Sequence, residues 1–123
     1  MLIGELAKKA DVTKESIRHY ISLGLLNPTQ TKAGTRIYNE FSEADVERVE
    51  YIKLAKSLGF TLKELAPYVE LFMENKLSMD IAVAAFEEKL IEIEGKIADL
   101  QEIQSRLRAK LAEKKREGSK TGT

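Results

Sequence analysis

Four side chains able to donate hydrogen bonds, Lys14, Ser16, Arg18 and His19, fall within six residues near the start of the chain. Arg36 follows in a short stretch of alternating polar and apolar residues. A guanidinium can clamp a phosphate, or meet the O6 and N7 edge of a guanine with two parallel hydrogen bonds. A histidine can donate to a base edge or a phosphate, or stand solvated with no role. Bond-making chemistry has less to work with. The chain has no cysteine and its one histidine is His19, so thiolate sites and disulfides are excluded and a zinc site would rest on carboxylates alone. No nucleophile–base pair, phosphate-binding glycine loop or metal cluster stands in the sequence. The residues therefore point to a binding protein and not an enzyme, with no cofactor and no metal.

Length and charge bound what such a protein binds. A chain of 123 residues is one small domain with an appendage. Its hydrophobic share of 43% is globular, and its charged share of 33% implies much solvated helix surface. The formal net charge is zero, which speaks against indiscriminate attraction to nucleic acid. Residues 1 to 58 hold nine Lys and Arg against eight Asp and Glu, and the remainder eleven against twelve. Specific placement, not a general basic field, has to supply recognition. No apolar run approaches the ~20 residues of a membrane span, and the first residues lack the shape of a signal peptide. A cytoplasmic protein without a membrane partner is expected.

The elements that position these residues follow from periodicity. Ile3, Leu6, Ala7 and Ala10 share a helical face until Asp11-Val12 breaks it. Thr13 is an N-cap for a second helix, Lys14 to Leu23, with Gly24 after it. Two short helices joined by a few residues form a helix-turn-helix. The stretch Thr29 to Tyr38 suggests a hairpin whose tip is the Gln30 to Thr35 region, and a hairpin in that place is a wing. Ser42 and Asp45 start a third helix with Val46, Val49, Ile52 and Leu58 on its buried side, and Thr61 with Glu64 forms a capping box for a fourth. Pro67 predicts a kink or a restart in that fourth helix.

Beyond residue 77 the pattern changes. Val83, Leu90, Ile97, Gln104 and Leu111 occupy the a positions of a heptad repeat, and Phe86, Ile93, Leu100 and Leu107 the d positions. The helix spans about 37 residues, roughly 55 Å. A stripe of that length needs a partner helix, and a second copy of the chain is the simplest; the alternative is a helix folded back on its own domain. The flanking residues Glu87, Glu94, Gln101 and Arg108 fit an antiparallel pair, but a parallel pair matches Lys89 to Glu94 equally well. The expected division is 1–76 for the winged helix-turn-helix domain, 77–116 for the dimerisation helix and 117–123 for a disordered tail.

Several blocks occur in a telling order: Ile3-Gly4-Glu5-Leu6-Ala7, Val12-Thr13, Ser16-Ile17-Arg18-His19-Tyr20, Gly24-Leu25-Leu26-Asn27-Pro28, Gly34-Thr35-Arg36-Ile37-Tyr38, Asp45-Val46 and Leu58-Gly59-Phe60-Thr61-Leu62. Together they resemble the MerR family of bacterial transcription regulators, over about the first 75 residues. Three positions depart from the family pattern: His19 stands where a tyrosine is usual, Thr35 where an aromatic is frequent, and Pro67 in a helix that is often continuous. The resemblance implies a mainly α fold, a winged helix-turn-helix domain followed by a long dimerisation helix that pairs as an antiparallel coiled coil.

It also implies a function: sequence-specific regulation of transcription by a homodimer on a palindromic promoter site, distorting the promoter spacer so that RNA polymerase, an indirect partner, meets both elements aligned. The second helix then enters the major groove with Thr13, Lys14, Ser16, Arg18 and His19. Tyr20 is ambiguous, since family analogy sends its hydroxyl to the DNA and periodicity packs it inward. Arg36 in the wing grips phosphate with Thr35 and Tyr38 beside it. Lys53, Lys56 and the helix start at Thr61 offer further phosphate contacts. The competing view is a winged-helix coiled-coil module that binds protein, or shapes DNA without ligand control. The sequence assigns no small-molecule effector. Phe72, Met73, Met79 and Phe86 have the spacing of core and seam residues, with the lining of a ligand pocket as the alternative.

Overall fold

A computed structural model describes residues 1–121 of the chain. Their elements run α1 (Ile3–Ala10), α2 (Lys14–Ser22), β1 (Thr29–Ala33), β2 (Arg36–Glu40), α3 (Glu43–Ser57), α4 (Leu62–Met73) and α5 (Met79–Thr121). They form two compact units that divide after Ser78. Among the described residues no helix is long and apolar enough to cross a membrane.

In the first unit, local chemistry sets the helix ends. Asp11 adopts the left-handed conformation, φ 53°, and its backbone N–H reaches the carbonyls of Ala7 and Lys8, a conformation that aspartate tolerates better than most residues. The Thr13 hydroxyl accepts from the Ser16 N–H at 3.0 Å, capping α2. The Ser42 N–H donates to the Asp45 carboxylate at 2.9 Å. At α4 the Thr61 N–H donates to Glu64 Oε1 and the Glu64 N–H to Thr61 Oγ1, each at 3.1 Å.

The helices meet over a core in which Leu6, Ile17, Leu26, Val49, Ile52, Leu65 and Val69 are fully buried. Phe72 stacks on Tyr51 with ring centroids 4.3 Å apart, so it packs within this unit. The wing contributes nothing to the fully buried set and is tied in at its end: Met1 and Phe41 exchange backbone hydrogen bonds of 2.7 and 2.8 Å.

Three expectations change in this unit. The wing tip is only Gly34-Thr35, because β1 already pairs from Thr29, opposite Glu40, to Ala33, opposite Arg36. Both faces of β1 are exposed, so no apolar alternation marks it as a strand. Gly34 has φ 66°, the positive value that a type II′ turn needs at its first central residue. Pro67 does not restart α4, which continues through it; the carbonyl that lacks its N–H belongs to exposed Lys63 in the first turn, where water can serve it. Leu58 is 46% exposed rather than buried, since it lies six residues past Ile52, about 120° around a helix, at the C-cap of α3.

The long helix differs at its end. α5 spans 43 residues, about 65 Å, and runs through residues 117–121, expected to be disordered tail. One glycine, Gly118, costs a helix only about 1 kcal/mol relative to alanine, and Lys114 pairs with Glu117 at 3.3 Å just before it. Residues 122 and 123, the rest of that expected tail, lie outside the described residues.

Arg48 holds the first unit together in a way no local pattern announces. Its guanidinium donates to the Leu25 carbonyl at 3.3 Å and pairs with the Glu70 carboxylate, joining α3 to the segment after α2 and to α4. We expect Arg48→Ala to lower stability by about 1–2 kcal/mol, the range for charge-assisted hydrogen bonds discounted for a half-exposed carboxylate. Urea melts of the full chain at one fixed protein concentration would measure it; an unchanged midpoint would show that the bridge contributes nothing.

Candidate nucleic-acid interface

The cations of the first unit differ in whether they are paired, and three of them tie one element to another. Lys9 pairs with Glu43 at 2.6 Å, Arg48 pairs with Glu70, and Lys53 donates to the Asp11 carbonyl at 3.0 Å and its carboxylate at 3.4 Å. These three link elements. By contrast, the side chains of Lys8, Lys14, Arg18, Lys32, Arg36, Lys56 and Lys63 have no hydrogen-bond or ion-pair partner among the described residues, and all seven are exposed. An unpaired surface cation keeps its hydrogen-bonding capacity for an incoming anion, while a paired one must first give up its partner.

α2 presents Lys14, Arg18 and His19 to solvent while Ile17 and Tyr20 are buried. This follows from the helical period: the core-facing pair is three residues apart, and Arg18 and His19 lie between them on the opposite side. Thr13 and Ser16 are occupied with capping, their hydroxyls 2.9 Å apart, so their first duty is to fix where α2 begins. Tyr20 is only 5% exposed, and burial pushes its phenol above the usual range, keeping it neutral. Its ring belongs to the core, as periodicity expected.

The hairpin has two faces. Residues directly opposite each other share a face, so Arg36, opposite Ala33, and Tyr38, opposite Thr31, lie on one side. Lys32 lies opposite Ile37 on the other, and Ile37 is 59% exposed. Thr35 stands at the turn itself. The sequence does not single out Lys32, because its segment reads as the loop of the wing; once the strand extends to Thr29, it becomes a second exposed cation of the hairpin.

At the other expected contacts the geometry is mixed. Lys56 is exposed near the end of α3. Lys53 braces the helix-turn-helix turn, since Asp11 is the residue between α1 and α2 whose backbone turns left-handed. At Thr61 the backbone N–H is already used by the Glu64 carboxylate, which also brings negative charge to the start of α4. A phosphate there would have to use the N–H groups of Leu62 and Lys63.

α5 carries a different surface. Val83, Phe86, Leu90, Ile97, Leu100, Leu107 and Leu111 are between 43% and 68% exposed, Ile93 is half-buried and Gln104 exposed. This apolar stripe is open to solvent in a single chain. Among the described residues no group of three or more His, Asp or Glu could hold a metal ion.

Comparison with known proteins places this arrangement. Residues 1–71 match the family model described as MerR HTH family regulatory protein, and residues 46–110 match the one described as MerR, DNA binding. The chain is 33% identical over 107 residues to the HTH-type transcriptional regulator ZntR of Escherichia coli (strain K12), covering 85% of this chain and 74% of that protein. It is 37% identical over 106 residues to the mercuric resistance operon regulatory protein of Bacillus cereus, covering 85% and 78%. Among solved structures, the transcription regulator PbrR691 from Ralstonia metallidurans CH34, in complex with lead(II), aligns with a TM-score of 0.74 and 26% identity over 87% of this chain and 82% of that one.

Proposed function

The chain belongs to the MerR family of DNA-binding transcription regulators, and on that premise we propose that it acts as a homodimer on a palindromic promoter site, distorting the spacer between promoter elements. The observation that carries this reading is the open apolar stripe on α5. A stripe of leucine and isoleucine at heptad spacing is stable in water only when another surface covers it, and a second α5 supplies one of matching length and pattern.

Antiparallel pairing separates the two winged domains and lets both α2 helices reach successive major grooves on one face of the duplex, ~34–36 Å apart. The exposed Arg18 and His19 then face base edges, and Lys14, Arg36 and Lys56 face phosphates, with Thr13 and Ser16 fixing the start of α2. Bending and untwisting a site of this kind costs a few kcal/mol, which contacts at both ends of the dimer can offset. RNA polymerase is engaged through the shape of the DNA. Such a protein works in the cytoplasm. One relative is named for mercuric resistance and one solved structure holds lead(II); the 123 residues here contain no cysteine and so offer such soft metals no thiolate.

Selection of bound genomic fragments by the full chain, followed by footprinting of the preferred site, tests this. Two protected half-sites in inverted repeat, one helical turn apart, with enhanced cleavage between them, are expected. Protection without sequence preference, at concentrations where the protein is dimeric, would overturn the reading in favour of an architectural module.

A further inference from the structure

α2 carries one carboxylate, Glu15, among Lys14, Arg18 and His19. Ile17, Tyr20 and half-buried Ile21 mark the core side of this helix. At about 100° per residue, Glu15 lies closest to the direction opposite that side. Arg18, His19 and Ser22 follow it at spacings of three, four and seven, and all four are exposed. Glu15 is also the second residue of α2, and a recognition helix meets base edges with its N-terminal residues. Of the outward set, Glu15 therefore comes first to the bases. Ser22 comes last, and its hydroxyl donates to the His19 carbonyl at 2.6 Å.

This carboxylate finds no partner within the fold. Arg18 and His19 stand three and four residues on, where side chains on a helix surface can pair. Yet Glu15 has no hydrogen-bond or ion-pair partner among the described residues. Other carboxylates of the first unit serve its structure: Asp45 and Glu64 cap helices, and Glu43 and Glu70 hold Lys9 and Arg48. The first turn of a helix favours an acidic residue, but the dipole is served as well from any position in that turn. Thr13 already caps α2.

Against DNA the placement is costly for most sequences. A carboxylate only accepts hydrogen bonds. It repels phosphates, and it has nothing to accept from thymine O4 or from guanine O6 and N7, which are acceptors themselves. Two bases offer an amino group in the major groove. The N6 of adenine lies between two acceptors, its own N7 and the O4 of the paired thymine. The N4 of cytosine has one such neighbour, the O6 of the paired guanine, so a carboxylate meets least repulsion there.

We propose that Glu15 is a specificity-determining residue of α2: its carboxylate accepts from the N4 amino group of one cytosine in each half-site and disfavours the other bases at that place. This rests on the reading in which α2 enters the major groove, and deepens it by naming a base and the group that selects it.

Site selection from a randomised duplex library by the full chain and two variants tests it. The parent should fix one cytosine per half-site. Glu15→Gln should move that preference to adenine, because a carboxamide accepts from N6 and donates to N7. Glu15→Ala should lose it, with discrimination at that base pair falling about tenfold. An acid that served only the helix dipole would lower the urea midpoint of both variants and leave the preferred base where it was. That result would overturn the assignment, and so would a Glu15-dependent preference for any base but cytosine. In either case Arg18→Ala should still weaken specific binding, and the DNA reading stands. A parent that selects no sequence would overturn that reading itself.

Discussion

Replacing Ile97 with aspartate should convert the protein to a monomer and lower its affinity for a two-half-site DNA by about 10²–10⁴-fold, the advantage that linkage of two binding modules confers. Ile97 sits near the middle of the seam, and its side chain is 50% exposed in the single chain. In a pair, each aspartate would face the partner's Leu100 across an apolar layer, with no cation in reach. Enclosing a carboxylate there costs several kcal/mol, and symmetry imposes it twice. Ile97→Val is the control: removing one methylene costs about 0.5–1.5 kcal/mol, so the dimer persists. Sedimentation at micromolar concentration checks the first claim and titration of a palindromic duplex the second. A variant that still sediments as a dimer would remove α5 as the interface, while α1 to α4 should stay folded, because the core from Leu6 to Val69 takes nothing from position 97.

Arg18→Ala should weaken specific binding by about 1–3 kcal/mol per half-site, or roughly 5- to 150-fold, and a dimer carries the effect twice. The side chain is exposed and without a partner, and its removal leaves the packing of Ile17 and Tyr20 intact, so stability should not move. The salt dependence separates two roles that geometry alone leaves equal. If Arg18 holds a phosphate, the slope of log K against log salt falls by about 0.9 for each phosphate no longer neutralised, close to two for the dimer, and binding weakens alike on all sequences. If it meets a guanine edge, the slope holds and preference at one base pair per half-site relaxes. Arg36→Ala in the wing should behave as the phosphate case. Unchanged binding by both variants, with the dimer intact, would favour a protein-binding module.

Much of this was legible in the sequence, and the reason is range. Thr13, the Ser42–Asp45 pair and the Thr61–Glu64 box act over three residues. The heptads of α5 act over seven, and the alternation of Ile17 and Tyr20 with Arg18 and His19 needs only the helical period. Each is set by the chain's immediate neighbours, so the order of elements and the outward face of α2 could be derived before any coordinates. Leu58 and the Gly34-Thr35 turn mark the edge of that reach, because a cap residue leaves the helical period and a strand exposed on both faces has no apolar alternation to read.

What only the tertiary structure decided is which charges are structural and which remain free. Arg48 finds Leu25 and Glu70 across 23 and 22 residues, Lys53 finds Asp11 across 42, and Met1 meets Phe41 across 40. Such contacts depend on the path of the whole chain, and nothing in the composition distinguishes Lys53, which braces the turn, from Lys56, which stays unpaired. The sequence alone determined a helix-turn-helix that resembles a family of DNA-binding regulators and an apolar stripe at heptad spacing. The fold decided which cations remain unpaired, because an ion pair forms only where the backbone brings two charges within reach.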